Sequence, residues 1–136
     1  MQKSWTEKLN VKKEPKVVKL QEAFSDIPAD SLMLVATPKL VDDYMRQVPK
    51  GHLVDMKTLR KDLASDFHAD NSCPLSTAIF VRMAAEAAFE QYKLGKNLSE
   101  ITPFWRVIAP GSKMAARLTF GEDFLKEQLK AEMAKL

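Results

Sequence analysis

The chain has 136 residues, 46% of them hydrophobic and 29% charged, the size and make-up of one globular domain around one modest core. No apolar run approaches the ~20 residues that a membrane helix needs, since the longest candidate, Ala78 to Phe89, is interrupted by Arg82 and Glu86; no membrane partner is expected. The formal net charge of +3 is uneven: residues 1–20 carry six lysines against Glu7 and Glu14, and residues 21–136 carry 15 basic and 16 acidic groups, so the body of the chain is not basic enough to compel nucleic-acid binding by charge alone.

In chain order, the start from Met1 to Glu7 lacks the apolar centre of a signal peptide, and a cytoplasmic location is expected. Residues 1–20 are Lys-rich with widely spaced apolar positions, and an extended arm that packs Trp5 onto the body is expected. Residues 21–31 are ambiguous and broken by Pro28. The division is thus a basic, partly extended arm over 1–31 and a folded domain over 32–136. Leu32 to Ala36 fits a strand. Thr37 as N-cap and Pro38 in the first turn start a helix with Leu40, Val41, Tyr44, Met45 and Val48 at helical spacing, stopped by Pro49 and Gly51. Its Asp42-Asp43 pair reads as helix surface, because adjacent residues point apart. Asp55 caps a second helix over 56–67 with one apolar stripe, Met56, Leu59, Leu63 and Phe67; Lys57, Arg60 and Lys61 lie off it.

Cys73, the one cysteine, excludes an internal disulfide and a Cys-based zinc site. It reads as a small residue before Pro74, which opens a third helix over 75–93 closed by Gly95. Ile79, Met83 and Ala87, with Phe80 and Ala84, give that helix an apolar face. Phe104 to Ile108 has strand character, Ala109 to Ser112 is a turn, and a last helix starts at Glu122. With no Gly-rich phosphate loop and no metal-ligand cluster, no cofactor is expected. The outline is a mainly α fold, a winged helix-turn-helix of three to five helices with a short β wing.

Two motifs sharpen that outline. Val48-Pro49-Lys50-Gly51 stands just before the capped helix at Asp55, and Pro103-Phe104-Trp105-Arg106-Val107-Ile108 follows the third helix. In this order they resemble the Val/Ile-Pro-x-Gly and Pro-Cys-His-Arg-Val-Val segments of the alkylguanine DNA alkyltransferases and alkyltransferase-like proteins, over about residues 38–136. The resemblance implies no alkyl transfer here. Phe104 stands at the place of the acceptor cysteine and Trp105 at that of the histidine beside it, so thiolate chemistry has no nucleophile.

What the resemblance implies instead is a non-catalytic protein that binds double-stranded DNA, plain or alkylated, and serves repair. Lys57, Arg60 and Lys61 on the second helix, Ser76 and Thr77 on the third, and Lys113 in a Gly111-Ser112-Lys113 wing are the expected DNA contacts. Met56, Phe104, Trp105 and Arg106 are the candidates for a lesion pocket. Phe104 and Trp105 read equally well as core, and Arg106 as a buried or half-buried hydrogen-bonding residue. Thr77 or Phe80 is the candidate wedge, since no arginine stands early in the third helix. The alternative is a protein-interaction module on the same fold that has lost DNA, favoured by Glu86 and Glu90 on the third helix. An apolar or acidic outer face on that helix, rather than one flanked by Lys57 and Arg60, distinguishes it.

Overall fold

The computed structural model describes residues 4–134. Its helices are α1 (Trp5–Leu9), α2 (Pro38–Gln47), α3 (Met56–Asp66), α4 (Pro74–Lys93), α5 (Lys113–Ala116) and α6 (Asp123–Met133); single 3-10 turns lie at Leu98–Glu100 and Phe104–Arg106. The strands are β1 (Lys16–Lys19), β2 (Leu32–Val35) and β3 (Asn71–Ser72). The chain is mainly helical, with more helices than expected.

Local chemistry sets the helix ends. Thr37 accepts from the Leu40 N–H at 3.2 Å and Asp55 from the Thr58 N–H at 2.8 Å, each satisfying a donor that the first turn leaves open. Pro38 and Pro74 occupy first turns, where the missing N–H is no loss. At the end of α4, Gly95 takes φ +108°, and the Gly95 and Lys96 N–H groups bond back to the Tyr92 and Gln91 carbonyls, a Schellman closure that needs a residue without Cβ.

The N-terminal segment is built into the fold. β1 pairs antiparallel with β2 from Lys16↔Val35 to Lys19↔Leu32, and β3 adds parallel to β2, so the boundary drawn between 31 and 32 separates two paired strands. Residues 5–9, expected to be extended, form α1. Ser4 and Glu7 make a capping box, and the Glu90 carboxylate of α4 accepts from Trp5 N at 3.2 Å, Thr6 N at 3.1 Å and Thr6 Oγ1 at 2.7 Å. A five-residue helix does not stand alone in water; its cap comes from a residue about 85 positions away, which local spacing does not reveal.

The other corrections concern the segment after α4. Phe104–Ile108 is not a strand. Val107 N and Ile108 N both bond the Phe104 carbonyl, at 3.0 and 2.9 Å, and the chain coils so that Phe104, Trp105, Val107 and Ile108 all turn inward. A strand would alternate them; their β propensity reflects packing rather than an extended backbone. Ser112 does not shape a wing either. It caps α5, accepting from the Ala115 N–H at 3.1 Å. Among the described residues no strand follows α4, and the small sheet lies ahead of that helix, so the expected β wing is not where a winged helix would carry it.

The main core joins α2, α3 and α4 through Val41, Met45, Leu59, Leu63 and Val81, with buried alanines on α4 that allow close approach. Phe104, at 0% exposure, heads an aromatic cluster with Trp105, Phe120 and Phe124, ring centroids 5.3 to 5.9 Å apart. Asp42, expected on the surface, is also fully buried. It accepts from Thr102 Oγ1 at 2.5 Å and from Arg46 Nε at 3.0 Å, tying α2 to the segment before the 3-10 turn; Asp43 alone lies on the surface, near Lys39. Asp42→Ala leaves the buried Thr102 hydroxyl unpartnered and is expected to lower unfolding free energy by about 3 kcal/mol. Asp42→Asn, which keeps an acceptor, is expected to lose less. Urea unfolding of both variants measures the difference.

Candidate functional site on the outer face of α4

α4 is apolar on nearly all sides. Val81, Ala84, Ala85 and Ala88 face the core, and its N-terminal half also turns apolar side chains outward. Leu75 is 63% exposed and Ile79 59%. Four residues apart, they share one face of the helix. An exposed patch of large apolar side chains is informative where a single exposed leucine is not. With Met83 of the same helix, Met114 of α5 and Trp5 of α1, they line a groove of about 400 Å³.

Two carboxylates on α4, the buried Glu86 and the partly buried Glu90, hold the walls of this groove in place. Glu86 accepts from Thr119 N at 2.9 Å and Thr119 Oγ1 at 2.6 Å, holding the loop after α5 against α4. Glu90 holds α1 through the three bonds given above, so Trp5 stands at the groove edge. Burial acts to raise the Glu90 pKa, but the donors of Thr6, Trp5 and Ser4 outweigh it and keep the group below its ordinary value. On sequence these acids favour a protein-interaction module, with an acidic outer face on α4 as one form of it. The structure corrects that, because Glu86 is buried and Glu90 is committed to α1.

The rim is cationic. Lys113 and Arg117 on and just after α5 are exposed and form no salt bridge among the described residues. Arg82 is about one-third exposed, 3.6 Å from Glu86, with its guanidinium 5.4 Å from the Trp5 ring centroid. A second depression of about 390 Å³, lined by Met56, Val107, Ile108 and Ser112, shares Lys113 and Met114 with the groove.

The expected DNA contacts divide. Lys57 and Lys113 are exposed; Lys61 is exposed and donates to the Asp70 carbonyl at 3.0 Å. Arg60 is only 7% exposed. It donates to both Asp26 oxygens at 2.9 and 2.7 Å and to the Ser72 carbonyl at 3.0 Å, and it holds the Asp26 pKa down to about 2. A guanidinium used this way has no fork left for phosphate. Thr77 is fully buried and the Ser76 hydroxyl is enclosed, so neither reaches a partner molecule, and the wedge proposed for Thr77 is excluded; Phe80 is half-buried. Arg46, on α2, is likewise tied to a carboxylate, that of Asp42 at 3.0 Å.

The lesion-pocket candidates also separate. Met56 lines the second depression, but the Phe104 ring is enclosed by aromatic neighbours and offers no face to a base. Trp105 is almost fully buried beside it. Arg106 donates to Val48 O at 2.8 Å and to Glu132 of α6 at 2.5 and 3.1 Å, so its hydrogen-bonding capacity is turned inward. It also bridges the two motif segments, Val48–Gly51 and Pro103–Ile108, in space.

Comparison with protein-family models, with characterised proteins and with solved structures found no match. The site therefore stands on its own geometry. Sequence reading missed Leu75, Ile79 and Arg117. Ile79 was assigned to the inward apolar face. On a helix apolar all round, periodicity does not distinguish the buried side from the open one. Among the described residues no three His, Cys, Asp or Glu side chains converge as metal ligands, and no helix is long and apolar enough to cross a membrane.

Acid titration probes the frame behind the site. Burial raises the Glu132 pKa, but Arg106 and neighbouring donors outweigh it and leave it below its ordinary 4.5. A folded-state pKa held below the unfolded one adds stability that is complete above about pH 4.5 and lost as pH falls through the folded value. Glu132→Gln is expected to lower the urea midpoint at pH 7 and to flatten its decline between pH 5 and pH 3 (on the order of the unfolded carboxyl pKa).

Proposed function

We propose that this chain is a non-catalytic docking module that binds an apolar segment of another protein along the outer face of α4. The observation that carries this reading is the exposure of Leu75 and Ile79 over a preformed groove. Folded chains seldom leave two large aliphatic side chains side by side in water, and such patches mark interaction sites. Helix-in-groove recognition uses anchors at this spacing.

The side chains that α4 exposes favour a protein over a duplex. Direct readout of DNA needs Arg, Lys, Asn, Gln, Ser or Thr side chains free to reach base edges. On the first two turns of α4 the exposed side chains are Leu75 and Ile79, while Ser76 and Thr77 turn their hydroxyls inward. The outer face of α4 is thus apolar and lacks the flanking Arg60, the arrangement expected of a module that has left DNA. One observation favours the duplex reading: Lys57, next to Met56 in the chain, and Lys113 are both exposed near the second depression. In that reading the chain neutralises phosphates and holds a displaced base, plain or alkylated, against Met56.

Peptides selected from a random library on the intact chain test the docking reading. Burial of one isoleucine is worth about 1.5–3 kcal/mol, so Ile79→Asp is expected to weaken selected peptides by at least about tenfold with the thermal midpoint unchanged. Fluorescence anisotropy with a short duplex, plain and carrying one alkylated guanine, at two salt concentrations tests the other. Tight, salt-sensitive, lesion-preferring binding that survives Ile79→Asp and fails in Lys57→Glu/Lys113→Glu would transfer the function to DNA.

A further inference from the structure

We infer that the occupant of the α4–α5 groove is an amphipathic helix with carboxylates along its flank. This rests on the docking reading above and adds the chemical class of the partner. Two observations carry it. The first is the shape of the apolar strip. Leu75, Ile79 and Met83 fall at i, i+4 and i+8 on α4, with Met114 across the groove, so the strip runs along the helix axis instead of forming a round cavity. A ridge of anchors spaced three and four residues apart on a second helix lies along such a strip. Met83 and Met114, unbranched and polarisable, adapt to the side chains of an incoming helix.

The second is the imbalance of charge around the strip. Its charged lining side chains are Arg82, Lys113 and Arg117, all cationic. The nearby acids are already engaged: Glu86 with Thr119, Glu90 with the first turn of α1, Asp55 with the Thr58 N–H, and Glu122 with the Gly111 N–H at 2.7 Å. Lys113 and Arg117 are in no ion pair among the described residues, whereas Arg82 lies 3.6 Å from Glu86 and is partly compensated by it. A docked segment with carboxylates beside its apolar anchors meets Lys113 and Arg117; one with lysines there meets two uncompensated like charges, and like-charge juxtaposition across an interface works against binding.

Three labelled helical peptides decide it, titrated against the full chain by anisotropy. One carries leucines at i, i+3, i+4 and i+7 with flanking glutamates, the second the same leucines with flanking lysines, and the third the glutamates with alanines for the leucines. The expected result is binding of the first at least tenfold tighter than either of the others. Ile79→Asp is expected to abolish it, and Lys113→Glu/Arg117→Glu to reverse the preference toward the lysine peptide, with circular dichroism unchanged in both variants. Equal binding of both leucine peptides, each lost in Ile79→Asp, overturns the acidic partner and leaves the docking reading standing. Binding by neither leucine peptide, or binding that Ile79→Asp leaves intact, overturns both. A concentration-dependent dimer lost in Ile79→Asp, with no peptide bound, assigns the strip to a second copy of the chain and overturns the acidic helix.

Discussion

The guanidinium of Arg106 is the clasp on which the C-terminal half depends. It donates to the carbonyl that ends α2, at Val48, and to the Glu132 carboxylate on α6, while the Arg106 carbonyl accepts from Val54 N at 2.8 Å just before α3. One residue in a 3-10 turn thereby fixes three segments distant in sequence. The Arg–carboxylate pair is largely withdrawn from water, where loss of one partner would leave an uncompensated charge; removing a single partner of such a pair typically costs about 3–5 kcal/mol. With the turn held there, Phe104 and Trp105 have to point into the aromatic cluster.

Three more carboxylates extend this logic outward. Asp42, Glu86 and Glu90 sit on helices and accept from distant hydroxyls or from a helix start. Each brings a peripheral segment against α2 or α4, and in doing so uses up an acid that would otherwise face solvent. The consequence is electrostatic. Acids turn inward along α4, whereas Lys113 and Arg117 stay at the rim, so a body close to neutral in total charge presents a cationic edge beside an apolar strip. The distribution, and not the sum, decides which partners approach.

Much of the helical frame was legible in the sequence because it is encoded locally. Thr37-Pro38, Asp55 and Pro74 announced α2, α3 and α4 through the chemistry of the first turn, and Gly95 announced the end of α4. What escaped depends on distant partners. α1 exists because Glu90 caps it, and Asp42 is buried because Thr102 meets it. Phe104–Ile108 coils because four apolar side chains converge on one cluster, although their residue types favour strands. Ser112 was read as a turn residue and is an N-cap, two uses of the same side-chain-to-backbone bond. The site was the least legible part. Thr77 and Ser76 looked like contact residues and Ile79 like core, yet their exposures are the reverse, because the direction from which the core packs on an all-apolar helix is a tertiary fact.

That reversal also bears on where recognition sits. In the arrangement that the two motifs resemble, binding would centre on the turn at Phe104. Here the turn is closed from both sides: the Phe104 ring lies 5.6 Å from Phe120 and 5.9 Å from Phe124, and Arg106 is spent on Val48 and Glu132. To admit a planar ligand, the chain would have to give up packing in the middle of its core, and interiors this dense do not yield without loss of stability. The outer face of α4 requires no such rearrangement. Leu75 and Ile79 are already exposed, the groove beside them is already open, and at its edge Lys113 and Arg117 are in no ion pair among the described residues. A preformed surface of that kind needs no unfolding before a partner docks, which is the physical reason for proposing recognition on α4 and not at the turn.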